Sequence, residues 1–146
     1  MHMANTLTAA NAIYLLSVDN LYTTPQQLQG FAADAVFSTE SVTPVETLMG
    51  VDGKLSGGWV AQPKMQTITL QADSLSNDIF DNWYNAQEQA RETFIAGGMI
   101  TVPSLSRTFT CLVGFLTGFV PVVNTQRILQ PRIYRITWQS IIGAPL

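Results

Sequence analysis

Residues 12–18, AIYLLSV, form a short apolar run that stops at Asp19-Asn20, a pattern that predicts a largely buried first strand. Phe31, Ala33, Ala35 and Phe37 then alternate with Ala32, Asp34, Val36 and Ser38, the period of two expected of a strand with one covered and one wetter face. Between them residues 22–29 are polar and marked by Pro25, and they read as a loop. Alternation returns in residues 64–73, KMQTITLQAD, with Ile68, Leu70 and Ala72 on one face and Thr67, Thr69 and Gln71 on the other. The period then lengthens to that of a helix. Ser76 is placed to cap its first turn, Asp78 and Asp81 sit near the positive end of its dipole, and Ile79, Phe80, Trp83, Ala90 and Phe94 share one stripe. A helix over residues 77–96 follows, ended by Gly97-Gly98. Strand patterns resume at 99–102, 107–114 and 129–141, the last with Tyr134, Ile136 and Trp138 toward the core. With no βαβ rhythm, the chain reads as mainly β (α+β): two packed antiparallel sheets forming a sandwich or barrel, one flanking α-helix and a long hairpin arm. No repeat or linker divides residues 1–146, so one domain is expected.

The arm is the least ordinary stretch. Residues 50–59, GVDGKLSGGW, hold four of the ten glycines. A phosphate-binding loop would need a glycine where Leu48 stands and a Ser or Thr where Leu55 stands, and no Gly-x-Gly-x-x-Gly occurs. Asp52-Gly53 instead suits a tight hairpin turn, with both residues at positive φ, across which residues 45–51 and 54–60 can pair. The arm is expected over residues 41–62, a stretch that holds Pro44 and is followed by Pro63.

Composition narrows the function classes. Charged residues make up 12% of the chain, about half the share in an ordinary soluble domain. So sparsely charged a surface suits a protein covered by other subunits. The net charge of −3 argues against a surface that grips phosphates. The apolar run 109–123 is too short, and too interrupted by Gly114, Gly118 and Pro121, to cross a membrane, and the first residues lack a signal peptide's pattern. No membrane insertion is expected.

Candidate chemistry is thin. The single cysteine, Cys111, sits in an apolar run and reads as a buried small hydrophobe, and the one histidine, His2, is near the terminus. Neither a zinc site nor a Ser-His-Asp triad can be assembled from that inventory. Asp78 with Asp81, and Glu88 with Glu92, read as a solvated helix face rather than as paired catalytic carboxylates. Arg127, Arg132 and Arg135 read as ion-pair partners across an interface, and Trp59, Trp83 and Trp138 as core. No catalytic residue, cofactor or metal is expected.

Three stretches together resemble a known family: GVDGKLSGGWVAQPKMQTITLQADS, the helix NDIFDNWYNAQEQ, and TGFVPVVNTQRILQPRIYRITWQSI. They are similar to the tail tube proteins of long-tailed, particularly contractile-tailed, bacteriophages, over residues 45–141. The resemblance implies a fold shared with secretion-system tube proteins, in which six subunits form a ring and stacked rings form a hollow conduit for genome ejection. It implies a virion protein assembled in the host cytoplasm, with copies of itself as partners and with tail sheath, tape measure and baseplate proteins beside it. Double-stranded DNA would pass without specific binding. Glu46, Leu48, Gly50, Asp52, Gly53, Lys54, Gly57 and Gly58 would then form an inter-subunit arm reaching a neighbouring ring. The polar strand faces make Asp34, Thr67, Thr69, Gln71, Arg135, Thr137 and Gln139 lumen candidates, and Asp78, Asp81, Glu88 and Glu92 are the candidates to face a sheath. Two alternatives stay open: a tube-like initiator, completion or baseplate ring, and a small β-barrel ligand-binding module.

Overall fold

The computed structural model describes residues 12–31, 37–122 and 130–146. Among the described residues nine strands and one α-helix run in the order β1 (Ile13–Val18), β2 (Tyr22–Gln27), β3 (Phe37–Thr39), β4 (Val45–Met49), β5 (Leu55–Trp59), β6 (Lys64–Leu70), α1 (Asn77–Ala90), β7 (Ala96–Val102), β8 (Arg107–Gly118) and β9 (Arg132–Pro145). They form two antiparallel sheets: a seven-stranded sheet ordered β2-β1-β7-β8-β9-β6-β3, and the two-stranded β4-β5. The class is mainly β (α+β) with one helix. Among the described residues the large sheet does not close into a barrel, since β2 and β3 are its edges.

One face of the large sheet carries Tyr14, Leu16, Val18, Ile68, Leu70, Tyr134, Ile136 and Trp138, all buried. Helix α1 lays Ile79, Phe80 and Trp83 on that face, and the Phe80 ring stacks on Tyr134 at 4.0 Å between centroids. Gln66 is polar yet buried, because its side chain closes a network inside the core. Its Oε1 accepts from the Tyr14 hydroxyl and, at 3.2 Å, from Trp138 Nε1, and its Nε2 donates to Thr39 Oγ1 at 3.3 Å. Satisfied in this way, a buried amide costs little.

Three expectations are corrected. Residues 22–27 form edge strand β2 rather than a loop, and Pro25 fits there because an outer edge asks for no amide donor. The helix ends at Ala90, not near residue 96. Arg91 turns left-handed at φ 55 and its N–H donates to Gln87 O at 2.8 Å. Gly97 and Gly98 therefore lie in β7, Ala90 is exposed, and Phe94 lies beyond the helix, where its carbonyl accepts from Trp83 Nε1 at 3.2 Å. A side chain at Gly98 would meet the Trp138 ring at 3.3 Å, so this glycine marks close packing rather than a helix stop. Ser76 makes no side-chain cap; its Oγ accepts from Gln29 N–H at 2.8 Å. Finally, between Phe31, which makes an isolated bridge to Leu70, and β3, residues 32–36 lie outside the described residues.

Strands β8 and β9 share a break in their alternation. Leu112 pairs with Ser140 and Gly114 with Trp138, leaving Val113 and Gln139 between them, and Val113 takes φ 54. Positive φ is unfavourable for a β-branched residue. Its consequence is positional: Cys111 and Gly114, three apart, both face the core. Inward and outward positions therefore change phase at this point on the two longest strands.

Candidate assembly surfaces

The arm is built on an irregular turn. Gly53 N–H donates to Gly50 O at 3.0 Å and Gly50 N–H to Lys54 O at 2.8 Å. Gly53 alone in this loop has positive φ, at 83°, so the expected tight turn with Asp52 also at positive φ is corrected to a three-residue loop, 51–53. Asp52 Oδ1 accepts from Lys54 N–H at 3.1 Å and stiffens the tip. Pairing follows from there: Met49 with Leu55, Thr47 with Gly57, Val45 with Trp59, Leu48 with Ser56 and Glu46 with Gly58.

Cross-strand partners share a face, so Val45, Thr47, Met49, Leu55, Gly57 and Trp59 form one face and Glu46, Leu48, Ser56 and Gly58 the other. The first is apolar, and among the described residues none covers it: Trp59 is 78% exposed and Leu55 62%. Trp59 is thus a surface residue and not the core residue its type suggests.

The outward face of β6 and the first half of β9 brings the strand-borne lumen candidates together. Thr67 pairs with Arg135, Thr69 with Ile133 and Met65 with Thr137, and Thr137 Oγ1 lies 2.9 Å from Thr117 Oγ1 on β8. Gln139 is exposed on the same strand, and Gln71 is exposed just past the end of β6. Asp34, like His2 and Arg127, lies outside the described residues.

On the helix, Asp78 and Glu88 are exposed; Glu92 is exposed in the turn beyond it. Asp81 is different. Its two oxygens accept from Arg132 Nη2 and Nη1 at 2.8 and 3.0 Å, while the guanidinium lies over the rings of Tyr134 and Phe119 at 5.3 and 5.6 Å. Those hydrogen bonds push the Arg132 pKa up further. Arg132 is therefore an ion-pair partner inside its own subunit, where the sequence had suggested a partner across an interface. The pair was missed because its members lie 51 residues apart.

Cys111 is buried, and burial pushes its thiol pKa up to about 12, so the sulfur stays protonated near neutral pH. Among the described residues no group of three or more His, Cys, Asp or Glu side chains is placed to hold a metal ion, and no helix is long and apolar enough to cross a membrane.

A family profile described as tail fiber protein gp32 matches residues 5–142. No curated protein sequence matches the chain. Among solved structures, the tube-terminating cap of the anti-feeding prophage superposes with a TM-score of 0.63 at 11% identity, over 100% of this chain and 95% of that one. The sheath/tube terminator of PVC, an extracellular contractile injection system, gives 0.58 at 12% identity, over 90% and 92% of the two chains. A chain of the anti-feeding prophage baseplate gives 0.54 at 12% identity, over 98% of both. At such identities the likeness is one of fold.

Proposed function

This chain belongs to the tail fiber protein gp32 family and is a structural component of a tail; from that premise we propose that it is a tube-type subunit, forming sixfold rings that stack into a hollow conduit for DNA. The observation that carries the reading is the β4-β5 arm, an extended hairpin whose apolar face its own chain leaves bare. Two-stranded ribbons are marginal alone, so this one is expected to be held by neighbours. Full-length likeness to chains of injection-system caps, terminators and baseplates supports a ring-forming role. In this reading the face bearing Thr67, Thr69, Arg135, Thr137 and Gln139 lines the channel. Asp78, Glu88 and Glu92 face a sheath, and charge reversal at Glu88 and Glu92 then weakens sheath assembly while bare rings persist. Asp81 is spent on Arg132 and leaves that set. No catalytic step is assigned.

Negative-stain imaging of the purified protein is the test. Rings about six subunits round that stack into filaments support the reading, whereas monomers or dimers at high concentration defeat it. A second reading, a terminal ring that does not propagate, is favoured by the TM-score of 0.63 with the cap. Single or paired rings that never lengthen would select it.

A further inference from the structure

The outward face of the large sheet carries two kinds of surface, on either side of the break in alternation at Val113 and Gln139. On the β6 side it is threonine-rich and carries Arg135. On the other side, cross-strand pairing places Leu15 beside Met99, Met99 beside Thr110, and Thr110 beside Ile142, a row across β1, β7, β8 and β9. Ile13 and Leu112 flank that row on the same face. Met99 is 46% exposed and Ile142 56%, and the inward neighbours Ile100 and Cys111 are buried. The row and its flanks carry no charged side chain.

We propose that this apolar half-face is the docking site for the β4-β5 arm of a second copy of the same chain. The proposal rests on the arm being an inter-subunit element and names the surface that receives it. The described residues present two exposed apolar β surfaces, one on a two-stranded ribbon and a wider one across four strands of the sheet, and the ribbon can pack face to face on the wider surface as sheets do, about 10 Å apart. Charge selects between the halves. Placing the arm on the other half would strip water from Arg135, which has no carboxylate opposite it on the arm's apolar face, and a charge buried without a partner is costly. On the proposed half no charge is desolvated.

Contact area sets the assembly type. A ribbon of five-residue strands covers on the order of a few hundred Å² per partner, below the roughly 800 Å² per partner of a stable interface. One such contact does not hold a dimer. Each subunit, however, donates an arm and receives one, and a donor surface that differs from the acceptor surface propagates into rings or filaments.

Cysteine cross-linking tests it, because the native Cys111 is buried. Leu55→Cys and Met99→Cys variants, one of them tagged, are mixed under assembly conditions and oxidised. A covalent heterodimer of the two variants is expected, and the Leu55→Cys, Met99→Cys double variant should give a ladder of covalent oligomers. Ile142→Glu, a change at an exposed position, should keep the wild-type thermal melt and lose assembly. Assembly that survives Ile142→Glu, with no heterodimer formed, overturns the docking site even where the arm is required. A Leu55→Cys heterodimer with Thr67→Cys instead places the arm on the polar half and also overturns it. If protein with the arm cut out still assembles, the arm reading fails first; protein that stays monomeric at every concentration overturns both.

Discussion

Gly114 lies against the face of the Trp138 indole: a Cβ built on the glycine would stand 2.5 Å from the ring's Cε3 and Cζ3 atoms. The two are cross-strand partners on β8 and β9, and Trp138 is fully buried. Since the ring is also tied through Nε1 to Gln66 at 3.2 Å, it cannot retreat without breaking that bond. Gly114→Ala is expected to destabilise the fold by about 1–3 kcal/mol, as overpacking does. Tryptophan fluorescence in a urea titration measures it, and an unchanged midpoint would show that the core yields there.

Asp81→Asn should be more costly than its partly exposed position suggests. Arg132's side chain is 9% exposed and pinned between rings, so losing its carboxylate strands a charge that water reaches poorly. A loss of about 1–2 kcal/mol is expected, at the lower end for charged hydrogen bonds because Asp81's side chain is 36% exposed. Arg132→Lys should be less stable than wild type too, since an ammonium has neither the fork nor the flat face. Melting curves of the two variants decide this; equal stability of Arg132→Lys and wild type would show that charge alone matters.

Alternation made β6 and β9 legible, because one face of each is buried and a period of two is then written in residue type; β1 was legible as a short apolar run. Tyr134, Ile136 and Trp138 were placed in the core correctly by that alternation, and Trp83 by the helical stripe. The helix end was not legible. Gly97-Gly98 looks like a stop, yet Gly98 is small because Trp138 and Tyr14 occupy the space above it. Trp59 misled in the opposite way: it lies on a hairpin whose two strands are exposed throughout, so its apolar type did not report burial within the subunit. The polar faces that carry Thr67 and Thr69, and Arg135 and Thr137, followed from periodicity, but the pairing of those two strands, the Asp81–Arg132 pair and the break in alternation at Val113 belong to tertiary structure and leave no local signature.

Alkaline pH should destabilise the fold through Cys111. Its folded pKa is raised by burial from the ordinary 9.0 to about 12, so the folded state keeps a proton that the unfolded state loses. Stability from this group is full below about pH 9 and falls by about 1.4 kcal/mol per pH unit from there toward 12. Tyr14, raised well above 10.0 by burial, adds a fall of the same sign at higher pH. Denaturation midpoints of wild type and Cys111→Ser between pH 8 and 11 provide the measurement. Parallel curves would remove Cys111 from the account.

Replacing Thr67 and Thr69 by lysine should leave the fold nearly unchanged, because both side chains are only half-buried and point away from the core. If this face lines the channel, two added cations per subunit bind passing phosphates and slow DNA ejection, with relief as salt rises. Ejection rates across a salt series test this. Slowing that is insensitive to salt would mean that the lysines obstruct assembly rather than hold DNA.

Removing residues 47–57 and joining the strands by a short turn separates the arm's two possible duties. In its own subunit the arm buries almost nothing: Leu48 is 74% exposed, Leu55 62%, and every residue of β4 and β5 is exposed. Loop-closure entropy changes slowly with length, so the trimmed chain should melt within about 1 kcal/mol of wild type. Gly57→Val is the milder form. Gly57 has no positive φ, so the substitution acts through space: a Cβ there would approach Val45 Cγ1 at 3.1 Å and roughen the apolar face that docking needs. Both variants should remain soluble and folded by circular dichroism yet fail to stack in negative-stain images, with trimming the more complete. Had the arm been part of its own subunit's core, trimming would instead yield unfolded or insoluble protein, and that outcome would move Leu48, Leu55 and Trp59 back into the subunit.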